Sequence, residues 1–332
     1  MSKSPIDYPV HKPVRMGPLD HWPAAVHLFT AKVAAALEAA EVTGRPLLIR
    51  GLPGVGKSQT ARAAAWVMKR PLICQVIDGR TEAQDLMFRF DAVRRLADAQ
   101  VLQSGAALPD ESHYLQAQAL WWAFDWKGAL EVGAKPQPPA TPPKEWQFET
   151  DRSVMLIDEI DKADPDLPNA LLEVLSTQGF HVPMWDRPVV APPSRRPLII
   201  ITTNEERELP APFLRRCLVL KLELNSELTA LTAELTALGQ QHQDWQRQLH
   251  TELDGAVGWP GRCLLIPQVA ALVAKARIDA KSSRRYLPGT SEFLDLVQAL
   301  AEMAPDDEDT QKKKLATLAE FALAKERDAD GA

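Results

Sequence analysis

The eight residues GLPGVGKS, at 51–58, constrain this chain more than any other stretch, because they stand directly between the apolar run PLLIR at 46–50 and the helical pattern ARAAAWVMKR. Main-chain N–H groups converge on a phosphate only where the backbone turns tightly, and glycine permits that turn. Lys57, at the end of the loop, has the reach for β- and γ-phosphates, and the Ser58 hydroxyl suits Mg2+. Gly51, Pro53, Gly54, Val55, Gly56, Lys57, Ser58 and Gln59 are therefore the candidate nucleotide-binding set. A glycine turn that only links strand to helix is the alternative. The full eight-residue pattern, with a strand before it and a helix after it, argues against that.

A strand, loop and helix in this order belong to a parallel sheet, and the rhythm from Pro46 to Leu222 agrees. Short aliphatic runs at 46–50, 72–77, 153–157, 197–203 and 218–222 alternate with helical patterns, which predicts an α/β core with five parallel strands. The segment KPQPPATPPK at 135–144 is too rich in proline for a helix or a central strand and reads as an extended, mobile insertion. After residue 225 the β pattern disappears. Leu228, Leu231, Leu235, Leu238, Trp245 and Leu249 then recur at helical spacing, which reads as the buried face of a small helical domain. Gly239 interrupts that stripe and argues against a partner coiled coil. The expected division is 1–224 for the α/β domain and 225–332 for the helical one.

The run SVMLIDEIDKAD, at 153–164, ends a strand in Asp158. Open α/β sheets bind ligands at the carboxyl edge, where such a carboxylate holds the Mg2+ shell together with Ser58. Glu159, one residue on, suits the polarising of an attacking water. Acidic pairs after strands are also helix N-caps, and DKADPDLPNALLEVLS carries helix start signals, so both readings stand. Asn204, at the end of PLIIITTN, offers an amide for the γ-phosphate or the water, or else a turn residue after a strand. Arg215 and Arg216, in ELPAPFLRRC, lie between a Pro-broken turn and an apolar run with no carboxylate beside them. Arginines so placed are solvated or paired with an anion from elsewhere.

The order GLPGVGKS, LIDEID, ITTN, LPAPFLRRC resembles the Walker A, Walker B, sensor 1 and arginine-finger series of AAA+ ATPases. Within them RPLLIRGLPGVGKS, DEIDKADPDLPNALLEVLSTQGF and ELPAPFLRRC are similar to the MoxR branch. The resemblance implies a P-loop AAA+ core, a five-stranded parallel sheet with helices on both faces, followed by a smaller all-α lid. It implies ATP as the nucleotide, a helix-2-type insertion at 80–150 and a β-hairpin before sensor 1 at 180–193. It implies Arg216, assisted by Arg215, as a finger reaching a neighbouring subunit's ATP, and hence a homo-oligomeric ring, a hexamer in the family. Its function would be to remodel or mature a client protein complex, often with a von Willebrand factor A domain partner. The alternative is a nucleotide-dependent switch or scaffold in a defence or signalling assembly. The family's sensor 2 arginine has no match in LPGTSEFLDLVQAL, where Gly289 and Thr290 stand instead; Arg284 and Arg285 are the nearby substitutes, with an exposed basic loop the other reading.

The remaining features narrow the classes. A net charge of −6 argues against a strongly basic duplex-binding surface. Apolar runs such as 153–157 and 197–201 are far shorter than a bilayer span, and the first residues lack an apolar signal core, so no membrane insertion and a cytoplasmic location are expected. Cys74, Cys217 and Cys263 share no metal-ligand or redox spacing. No Asn-Lys-x-Asp base-reading motif follows the glycine loop, as a Ras-type GTPase would require. The cluster Trp121, Trp122, Phe124 and Trp126 reads as core, or as a partner patch; with only Lys127 nearby it makes a poor nucleic-acid platform.

Overall fold

Strands covered on both faces must be apolar throughout, and two of the expected strands meet that demand. In a computed structural model that describes residues 6–101, 107–147, 149–283 and 286–323, the strand LIIITT is buried along its whole length and VMLI is buried up to its final aspartate.

In chain order the elements are β1 (Pro13–Met16), β2 (Ala25–Leu28), α1 (Ala31–Thr43), β3 (Leu47–Arg50), α2 (Lys57–Met68), β4 (Leu72–Val76), α3 (Ala83–Met87), β5 (Phe88–Phe90) and α4 (Ala92–Val101). There follow β6 (Leu115–Ala117), α5 (Ala119–Phe124), α6 (Trp126–Glu131), β7 (Val154–Asp158), α7 (Asp166–Thr177), β8 (Gly179–Phe180), β9 (Val189–Val190) and β10 (Leu198–Thr203). The described residues end with α8 (Ala211–Arg216), β11 (Leu218–Lys221), α9 (Leu228–Glu252), α10 (Ile266–Ser283), α11 (Thr290–Met303) and α12 (Glu308–Leu323).

The main sheet is parallel, with strand order β11-β3-β10-β7-β4. Its register sets Ile201 beside Ile157 and Thr203 beside Arg50, so β3, β7 and β10 end at one edge. All five expected strands are present within a residue or so at each end. An α/β core followed by a helical lid region is the AAA+ architecture.

Contacts divide the chain into two compact units. One holds residues up to Tyr8 with Lys32–Arg50 and Ala61–Leu220; the other holds Pro9–Ala31, Gly51–Thr60 and the chain from Lys221 onward. In the first unit, Trp121, Trp122, Phe124 and Trp126 are buried in the core beside Ile73, Met155 and Ile157, which makes that cluster core rather than a partner patch. Its ribbon β5–β6 and hairpin β8–β9 are antiparallel, the latter with Phe180 opposite Val189. No helix or strand crosses 135–144.

In the second unit the leucine stripe forms one 25-residue helix, α9, with Leu231 and Leu235 in a core shared with Val269, Phe293 and Leu300. Gly239 does not break α9. Side chains of α10 and α11 press on it: a Cβ there would stand 2.6 Å from Phe293 Cζ and 3.0 Å from Ile266 Cγ2. The β1–β2 hairpin escaped sequence reading because its strands are four residues each and one opens on proline. Trp245 and Gln246 of α9 donate to the carbonyls of Met16 and Ala24 at 3.0 and 2.8 Å, which ties the hairpin to that helix. Among the described residues no helix is long and apolar enough to cross a membrane.

Candidate active site

The carboxyl edge of β7 and β10 gathers four of the side chains that the spacing singled out or passed over. Asp158 closes β7, and Glu159 follows in the left-handed region at φ 61°. That conformation costs a non-glycine residue about 1–3 kcal/mol and persists only where its surroundings hold it. Thr202 is the holder: its buried Oγ1 accepts the Glu159 N–H at 2.9 Å, and its hydroxyl donates to the Asp158 carboxylate. One hydroxyl thus orients both acids, and Asp158 and Glu159 turn to different partners.

The Glu159 carboxylate accepts from Lys162 Nζ at 2.6 Å and from Asn204 Nδ2 at 3.3 Å. The bond to Glu159 in turn raises the pKa of the Lys162 ammonium. Buried Asp161 accepts the N–H groups of Asn204 and Glu206 at 3.1 and 3.0 Å, which fixes the loop that carries the amide. Neither Asp158 nor Glu159 caps α7. That helix starts at Asp166, whose N–H bonds Asp164, and Glu159 makes no side-chain cap. Beside this edge a cavity of about 380 Å³ is lined in part by Arg50, Thr203 and Glu205, with Arg50 and Glu205 paired at 2.8 Å. Burial, and then the charge of Asp158, pushes the Cys74 thiol up to about 12.

Arg215 and Arg216 end α8 and are exposed. Arg216 Nε donates to Ser176 Oγ at 3.0 Å and its terminal nitrogen to the Pro212 carbonyl at 3.3 Å.

In the second unit the glycine loop takes the backbone its motif demands, with φ of 156°, 75° and 89° at Gly51, Gly54 and Gly56. Lys57 is buried, and its ammonium donates to the carbonyls of Gly51 and Leu52 at 2.7 and 3.0 Å. A Cβ on Gly56 would meet no atom within 4 Å, so that turn faces space rather than protein. Gln59 Oε1 is buried without a partner. An open, left-handed glycine turn with a lysine folded against it fits a triphosphate. Ser58 and Asp158 each carry a hard oxygen donor of the kind Mg2+ takes when it keeps waters and phosphate oxygens.

The start of α11 meets the same loop, where sequence reasoning found Gly289 and Thr290 in the place of an arginine. The Thr290 N–H donates to the Gly54 carbonyl at 2.9 Å. A Cβ on Gly289 would lie 2.9 Å from that oxygen, so glycine is what the approach requires. Glu292 accepts from the Gly289 N–H at 2.8 Å and from the Tyr286 hydroxyl at 2.5 Å, and burial together with that bond raises Tyr286 to about 12. Arg284 and Arg285 lie outside the described residues.

Sequence reasoning missed Thr202, Lys162 and Asp161. The signal for Thr202 was its register beside the β7 terminus, which requires the strand order; for Lys162 it was a three-residue spacing from Glu159 across a turn.

A family model described as an AAA domain of the dynein-related subfamily matches residues 46–217. No curated protein matches the chain. Among solved structures, a point mutant of Thermotoga maritima RuvB is 14% identical, covers 87% of this chain and 68% of its own, and has a TM-score of 0.44. The T. maritima RuvB Holliday junction branch migration motor is likewise 14% identical, with 87% and 67% covered and a TM-score of 0.40. At these TM-scores the likeness adds nothing to the strand order described above.

Proposed function

The chain belongs to the dynein-related subfamily of AAA domains, and from that premise we propose that it is the Mg2+-dependent ATP-hydrolysing subunit of a homo-oligomeric ring. The ring is a hexamer of MoxR type that remodels or matures a client protein complex, with a von Willebrand factor A domain protein as the expected kind of partner. Residues 1–224 act as the nucleotide-binding domain and 225–332 as its lid.

The observation that carries this reading is the division of labour at the edge of β7 and β10. Asp158 is oriented by Thr202, while Glu159 is turned towards Asn204 and Lys162. The glycine loop and Lys57 hold the phosphates of ATP; Ser58 and Asp158 would hold Mg2+, which would offset charge on them. Glu159 polarises the attacking water and takes its proton. Asn204 orients that water by its amide. Arg216, with Arg215 beside it, is exposed at the end of α8 and supplies positive charge to the site of the next subunit.

Mixing two inactive variants tests the shared site. Arg216→Ala should lose about 10³-fold or more in rate, the range for a missing finger, and Glu159→Gln should be inactive for want of its water-polarising carboxylate. Where an Arg216→Ala chain sits beside a Glu159→Gln chain, its own Glu159 and its neighbour's Arg216 complete one site. Activity should then rise above either variant alone. A mixture as inactive as its parts, despite demonstrated subunit exchange, refutes the shared site.

One observation favours a second reading, a switch in which occupancy matters more than turnover. The Glu159 carboxylate is held by two partners at once, which restrains it from a water. Steady-state ATPase with and without the partner protein separates the two: strong stimulation supports the remodeller, and a flat, slow rate the switch.

A further inference from the structure

A finger is only as well placed as the element that carries it, and α8 is six residues long. The carbonyls of a helix's last turn have no partner within the helix and must be met from outside. Here one side chain meets them. Arg45 Nη2 donates to the carbonyls of Arg215 and Cys217 at 2.5 and 3.0 Å, and its Nε to that of Arg216 at 3.2 Å. A planar guanidinium can span three successive acceptors, whereas an ammonium presents a single point of charge. A cation at the C-terminal end of a helix is also favoured by the helix dipole.

The turn that bears Arg45 is itself anchored. Gly44 is left-handed at φ 67°, and its carbonyl accepts from Gln178 Nε2 at 3.1 Å, at the buried C-terminal end of α7. One residue past Arg45, the Pro46 carbonyl accepts the Leu218 N–H at 2.8 Å. The Arg216 side chain rests on Ser176, also of α7. The turn at 44–46 therefore holds the ends of both helices that touch Arg216.

We propose that Arg45 is a positioning residue for Arg216: it sets where the guanidinium of Arg216 points and so acts on the ATP of the neighbouring subunit rather than on its own. This rests on the finger reading above. It predicts a signature that a merely stabilising residue lacks, because the loss must appear in the partner's site.

The test uses the full chain. Arg45→Ala and Arg45→Lys are assayed for ATP Kd, KM and kcat beside Arg216→Ala, and each is mixed with Glu159→Gln under subunit exchange. Arg45→Ala should lower kcat by about 10²-fold, the effect of displacing a reacting group by about an ångström, with ATP Kd little changed. Arg45→Lys should recover part of the loss. Mixing Arg45→Ala with Glu159→Gln should restore turnover, since an intact Glu159 then meets a neighbour whose Arg45 and Arg216 are both intact. Unchanged kcat in Arg45→Ala overturns the proposal. So does a mixture that stays inactive while the Arg216→Ala mixture recovers, because Arg45 would then serve its own chain. Full turnover in Arg216→Ala removes the finger reading first, and Arg45 as its support with it. If Arg45→Ala does not fold, the same comparison is made with Arg45→Lys.

Discussion

Replacing Thr202 by valine removes one oxygen and keeps the shape, which makes it the sharpest probe of the acidic edge. Thr202 is fully buried, donates to the Asp158 carboxylate and accepts the Glu159 N–H at 2.9 Å. A hydrogen bond to a charged group contributes about 1.5–3 kcal/mol, and an orphaned buried N–H costs about 1–3 kcal/mol. Asp158 is half-buried and recovers part of its loss from water, and the added methyl returns about 0.8 kcal/mol. A net destabilisation of about 2 kcal/mol follows. In urea the unfolding midpoint should fall with an unchanged slope. Turnover should fall as well, because the left-handed turn at Glu159 loses its anchor while the glycine loop keeps its contacts; kcat about tenfold lower, with ATP affinity nearly unchanged, is the expected pattern. Thr202→Ser supplies the contrast: it keeps the hydroxyl and should keep kcat. The reasoning is refuted if Thr202→Val unfolds and turns over like wild type, or if Thr202→Ser loses as much activity as Thr202→Val.

Three further outcomes are expected. Lys162→Met frees Glu159 from one of its two partners and should raise basal kcat by up to about fivefold, the limit for an exposed pair contributing about 1 kcal/mol; an unchanged rate in a steady-state assay would show that the pair does not restrain the carboxylate. Gly239→Ala places a Cβ 2.6 Å from Phe293 Cζ, and overpacking of about 1–3 kcal/mol should outweigh the helix-propensity gain of up to about 1 kcal/mol, so thermal denaturation should give a lower Tm. His242 is buried and His27 half-buried, and desolvation lowers each pKa to about 4. The unfolded chain therefore binds more protons between about pH 6.5 and 4, and stability is complete above 6.5 and lost as pH falls through that window, by up to about 3 kcal/mol for each histidine. Melting curves at pH 7 and 5 should differ, and His242→Gln should flatten the difference; a slope unchanged by that variant refutes its share.

What was legible in the sequence was whatever depends on neighbours along the chain. The strand runs could be read because a parallel strand covered on both faces must be apolar at every position, as Leu198–Ile201 is. The glycine loop could be read because left-handed turns at Gly54 and Gly56 admit few other residues. What was not legible depends on which segments the fold lays side by side. Thr202 looked like one more β-branched strand residue until the strand order set β10 beside β7, and the contact of Arg45 with the end of α8 joins residues about 170 apart in the chain. Gly239 shows the same limit from the other side: by propensity it reads as an interruption, yet it is buried where a larger side chain would collide with Phe293. The placing of Gly289 against Gly54 extends the argument to the lid. A departure from the family pattern that looks like a loss in one dimension is, at that contact, a glycine with no Cβ to hold the backbone away while the Thr290 N–H reaches the glycine loop. That contact is made by main chain. Gly289→Ala, with a Cβ 2.9 Å from the Gly54 carbonyl, would accordingly loosen it without removing any charge.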